Sequence, residues 1–88
     1  MKEIRELIKE DRIDEAIKLL NKHIINHPEC NDEPYYLLGN AYRKLGNWQL
    51  ALNNYLEAME RNPESPAVEA RNMVMNILEF YNKDMYNQ

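Results

Sequence analysis

His23 and His27 stand four residues apart with Cys30 just beyond, a spacing at which two imidazoles on one helix and a thiolate after it approach a single zinc ion. A fourth ligand is not evident, however, and His23 falls at a register position that the chain elsewhere gives to a small alanine, Ala58. It reads as a packed or edge histidine, and no metal site is expected. Acidic pairs such as Glu57 with Glu60, or Asp14 with Glu15, sit on helix faces expected to meet water, whereas acid–base catalysis needs groups converging in a pocket. There is no glycine-rich phosphate loop, and Ser65, the only serine, precedes Pro66 where it reads as a helix cap. The sequence thus predicts neither an enzyme nor a cofactor.

Bulk properties narrow the remaining classes. A chain of 88 residues with 44% hydrophobic and 30% charged residues has the composition of a single folded domain, 1–88, in which every helix must contribute to one core. A net charge of −4 with no basic stripe argues against a nucleic-acid partner. No apolar run approaches the roughly 20 residues that span a bilayer, and the opening MKEIRELIKE is charged and amphipathic. A cytoplasmic setting is therefore expected, and the single cysteine, which allows no internal disulfide, agrees with it without demanding it.

Candidate side chains must be positioned by helices, because no segment alternates at period two. Apolar residues recur at Ile4, Leu7 and Ile8, then at Ile13, Ala16, Ile17, Leu20 and Ile24, predicting a short helix, a turn and a longer helix. The form repeats at Tyr35, Leu38, Tyr42 and Leu45, a turn at Gly46-Asn47, then Trp48, Ala51, Leu52, Tyr55 and Met59. A fifth helix follows Ser65-Pro66, with Ala67, Ala70, Val74, Ile77, Leu78 and Tyr81 on one stripe. Pro28 and Pro63 end the two long helices 35 residues apart, and at that shift Ala16 meets Ala51, Leu20 meets Tyr55 and His23 meets Ala58. Such a period built of paired helices marks a solenoid, each hairpin hiding its apolar face against the next.

Residues 32–63 carry Tyr35-x2-Leu38-Gly39-x2-Tyr42, then Ala51, Tyr55, Ala58 and Pro63, with Gly46 in the turn. This resembles a tetratricopeptide repeat, with Tyr in place of the leading Trp. The resemblance implies an all-α, right-handed solenoid fragment of two hairpins and a capping helix: a degenerate first repeat at 1–28, a well-matched one at 32–63 and a cap at 66–85. Gly39 costs about 1 kcal/mol relative to alanine inside a helix, offset if its missing Cβ lets two helix backbones approach. Gly46 is expected at positive φ, and Asp11 takes its place in the first hairpin.

The resemblance also implies a concave face formed by the first helix of each hairpin, where peptide segments bind. On it would lie Arg5 and Lys9, then Tyr36, Leu37, Asn40, Arg43 and Lys44, with Arg71 from the cap. A cationic lining in an acidic protein suits an acidic or carboxylate-ended peptide; the alternative is a set of ordinary solvated charges. Of the carboxylate clamp that some family members carry, only Asn40 and Arg71 match by position, and Tyr36 replaces the first lysine, so chaperone binding is not carried over. Val68, Met73, Met75, Phe80, Met85 and Tyr86 lie partly off the core stripe of the last helix, either thickening a small core or giving a self-associating structural protein its dimer contact.

Overall fold

The computed structural model describes the backbone of residues 1–86 and the side chains of residues 1–80. It contains α1 (Lys2–Lys9), α2 (Ile13–Asn26), α3 (Glu33–Lys44), α4 (Trp48–Arg61) and α5 (Ala67–Tyr86), and no strand among the described residues. Among the described residues, extensive packing joins consecutive helices, α1 to α2, α2 to α3, α3 to α4 and α4 to α5. The all-α hairpin architecture read from the periodicity is the one observed.

Helix ends follow from local chemistry. At the close of α1 the Asp11 and Arg12 amides donate to the Ile8 and Leu7 carbonyls, at 3.2 and 2.9 Å. At the close of α3 the Gly46 and Asn47 amides donate to the Arg43 and Tyr42 carbonyls, at 3.0 and 2.9 Å. Both are Schellman turns, which need a left-handed residue at their centre. Asp11 supplies it with φ 62° and Gly46 with φ 78°, so one turn recurs 35 residues apart with the two residue types foreseen for it. Asn47 then caps α4, its Oδ1 accepting from the Leu50 amide at 3.2 Å. Ser65 is buried, and its Oγ accepts from the Ala67 amide at 3.1 Å, opening α5.

Two apolar clusters make up the interior. One gathers Ile4, Ile8, Ile13, Ala16, Leu20, Leu37, Leu38 and Ala41 from the first three helices; the other gathers Ala51, Tyr55, Ala58, Ala67, Ala70 and Val74 from the last two. Tyr35, Tyr36 and Tyr42 of α3 pack against both and join them. Burying a side chain of leucine or tyrosine size stabilises by about 1.5–3 kcal/mol, so a helix touching both clusters dominates the fold. Arg61 fastens the α2–α3 connection: its Nη1 donates to the Cys30 and Pro28 carbonyls at 2.7 and 3.1 Å, and its guanidinium lies 4.6 Å from the centroid of the Tyr35 ring.

The role of Gly39 differs from the expected backbone-to-backbone approach. What occupies the space beside it is the Tyr55 ring: a Cβ built on Gly39 would fall 2.9 Å from Cζ and closer still to Cε1 and Cδ1. Tyr55 is 0% exposed and its hydroxyl donates to Asn40 Oδ1 at 2.6 Å, so the ring has nowhere to retreat. Leu45, placed by the sequence on the α3 stripe, is instead half exposed at the Schellman turn.

Gly39→Ala is therefore expected to destabilise despite alanine's better helix propensity, by about 1–3 kcal/mol from overpacking, lowering Tm by at least about 4 °C. Thermal denaturation followed by circular dichroism checks this. In a double-mutant cycle with Tyr55→Leu, the combined loss should be smaller than the sum, because the smaller side chain vacates the collision site.

Candidate functional site

The candidate site is a cleft of about 310 Å³ between α1 and α3. From α1 come Arg5, Ile8 and Lys9, one turn apart on one helix face; from α3 come Tyr36, Leu37, Asn40, Arg43 and Lys44, again at helical spacing. The structure thus brings Arg5, Lys9, Tyr36, Asn40, Arg43 and Lys44 together around one hollow, while Arg71 does not line it and, among the described residues, donates to Asn72 Oδ1 at 3.4 Å. Leu37 is 3% exposed and belongs to the first core cluster, and Ile8, not foreseen as a lining residue, joins it there. They supply apolar floor rather than reach.

The cations are not equivalent. Arg5 is paired with Glu33 at the start of α3. Lys44 donates from Nζ to the Ile8 carbonyl at 3.0 Å and stands 4.0 Å from Asp11 Oδ1, so it caps the C-terminal end of α1 and ties the hairpins together. The side chain of Lys9, thirty-five residues earlier, has no hydrogen-bond or ion-pair partner among the described residues. Arg43 has no carboxylate either; its Nη1 donates to the Met73 thioether at 3.8 Å, a weak acceptor. Two side chains, Lys9 and Arg43, therefore keep their charge available to a ligand.

Asn40 is oriented from behind. Because its Oδ1 accepts the Tyr55 hydroxyl, its amide nitrogen remains to donate into the cleft. Burial pushes the Tyr55 hydroxyl up to about 12, outweighing the opposing influence of the Arg43 charge, with nearby Tyr36 adding to the rise. It stays a neutral donor at any physiological pH.

The other features weighed in the sequence are arranged as follows. The His23 and His27 rings lie 4.8 Å apart, centroid to centroid, and no group of three histidine, cysteine or acidic side chains is placed to hold a metal among the described residues. A wider cleft of about 600 Å³ opens beside Met1, His23 and Asn31, but its Glu33 is already paired with Arg5. Met73, Met75 and Phe80 are exposed on α5 rather than thickening the core, and the side chains of Met85 and Tyr86 lie outside the described residues. No helix among the described residues is long and apolar enough to cross a membrane.

Antiparallel helices stacked hairpin on hairpin, one turn type repeated, and a cleft between the first helices of successive hairpins define a helical-repeat protein. The family model for the tetratricopeptide repeat matches residues 33–65. The chain is also similar to the solution NMR structure of the Bacteroides fragilis protein BF1650, with 60% identity, 99% of this chain and 88% of that one covered, and a TM-score of 0.87. No curated protein matches it. The chain belongs to the tetratricopeptide repeat family, whose members generally mediate protein–protein interaction and are typically scaffolds without enzymatic activity.

Two measurements probe this geometry. Replacing Lys44 by Met removes the cap on α1 and should cost about 1 kcal/mol, with faster amide exchange at residues 5–9 and little change in α4. The elevated Tyr55 value has a definite sign: the contribution is fully present below pH 10, where the hydroxyl is neutral folded or unfolded, and is lost as pH rises toward about 12. Between those limits the native protein should lose stability relative to Tyr55→Phe by up to about 1.4 kcal/mol per pH unit, as read from urea midpoints across the range.

Proposed function

We propose that this chain is a peptide-capture module that holds an acidic or carboxylate-ended segment of another protein in the α1–α3 cleft. The observation that carries the reading is the pairing of Lys9 and Arg43, neither held by a carboxylate among the described residues, in a hollow of a protein with net charge −4. A cation without an anion in an otherwise acidic surface recruits one from outside. Asn40 adds a pre-oriented donor for a peptide carbonyl or carboxylate, and the ring of Tyr36, backed by the buried Tyr55 ring 6.1 Å away, gives the wall an aromatic surface. Arg5 and Lys44 contribute positive potential while remaining committed to Glu33 and to the end of α1.

A second reading rests on the exposure of Met73, Met75 and Phe80: α5 as a contact between two copies of the chain. Flexible thioethers suit an adaptable interface between two copies.

Charge reversal at both Lys9 and Arg43 should weaken binding of an acidic peptide by at least about tenfold without unfolding the protein, since each lost charge-assisted contact is worth about 1.5 kcal/mol or more. Fluorescence anisotropy at low and moderate salt reads the effect, which should shrink as salt rises. Unchanged affinity in the double variant removes the cleft reading, and a molecular mass by light scattering that stays monomeric at high concentration removes the second.

A further inference from the structure

The charged cleft does not end at α3. Arg43 forms its far wall and also touches α5 through Met73, and beyond that contact α5 carries a second hollow of about 370 Å³ lined by Met73, Asn76, Ile77 and Phe80. Met73, Ile77 and Phe80 stand four and three residues apart, one stripe of the helix, with Met73 53% and Phe80 65% exposed. The neighbouring stripe, Ala70 and Val74, is buried in the second core cluster. Two hollows, one cationic and one apolar, thus meet at the Arg43–Met73 contact. Although the sequence has 15 acidic residues, neither hollow is lined by one among the described residues.

We propose that the binding surface is bipartite and selects a protein segment presenting an acidic side chain followed within a few residues by a bulky apolar one, the carboxylate seated between Lys9 and Arg43 and the apolar group on Met73 and Ile77. This rests on the reading of the α1–α3 cleft given above and extends it to the partner's composition. The occupant follows from charge complementarity: among the described residues the path is lined by no acid and carries its cations at a single end. The Arg43–Met73 contact couples the halves. A guanidinium exchanges a thioether sulfur for a carboxylate with a large gain, because charge-assisted hydrogen bonds are far stronger than those to sulfur. Releasing Met73 then frees an unbranched, polarisable side chain to close over the apolar guest.

Four blocked ten-residue peptides on an alanine–serine background test this: one with an aspartate pair, one with a Leu-Phe pair, one with both in that order and one with neither. Their affinities for the full chain are measured by fluorescence anisotropy. The peptide with both features should bind about tenfold tighter than the acidic one, the increment expected for one large apolar side chain leaving water. In Met73→Ser with Phe80→Ser the two acidic peptides should bind with equal affinity, whereas Met73→Leu should retain the difference between them. Thermal melts confirm that the variants fold. Equal affinity for the two acidic peptides overturns the bipartite site and leaves the cleft reading standing. Failure of both acidic peptides to bind overturns both, and an apolar peptide binding as tightly as the combined one overturns the coupling, since α5 would then act alone.

Discussion

The structure depends on the Tyr55 ring lying across Gly39. That contact sets how closely α3 and α4 approach, and α3 is the helix on which both apolar clusters converge through Tyr35, Tyr36 and Tyr42. Glycine's usual penalty within a helix is offset here because its absent side chain admits an aromatic ring that is wholly buried. The hydroxyl of the same ring then fixes Asn40, so one side chain serves the interior and, one atom further out, the cleft. Core geometry and cleft geometry are not separable at this point of the molecule.

The cleft shows how an acidic protein concentrates positive potential without a basic composition. Four cations converge from two helices, and two of them are consumed by structure, Arg5 by Glu33 and Lys44 by the end of α1. Those bonds hold the two walls at a fixed spacing, with Lys9 and Arg43 lining the hollow between them. Electrostatic pairs of this exposed kind contribute little to stability. Their effect here is on position.

Much of this was legible in the chain because it is written as types at intervals. The apolar period located all five helices, and the 35-residue shift paired Asp11 with Gly46, which share a left-handed backbone and the same two hydrogen bonds. The helical period likewise put Arg5, Lys9, Tyr36, Asn40, Arg43 and Lys44 on facing surfaces. What could not be read is where long side chains end. Lys44 reaches back 36 residues to a carbonyl and Arg61 reaches 31 and 33 residues to two more, and neither partner leaves a mark in sequence spacing. The identity of the group filling the space at Gly39 was hidden for the same reason: periodicity gives the face of a helix, while the atom that meets it depends on the rotamer opposite.

Because substantial packing runs only between consecutive helices, the molecule has the logic of a stack in which each layer recognises the layer beside it and nothing further away. Lys44 closing the end of α1 is a joint of that kind, made wholly from the adjoining hairpin. Duplicating one 35-residue unit would therefore lengthen the array and the face on which its first helices lie, while every existing joint kept the neighbours it already has.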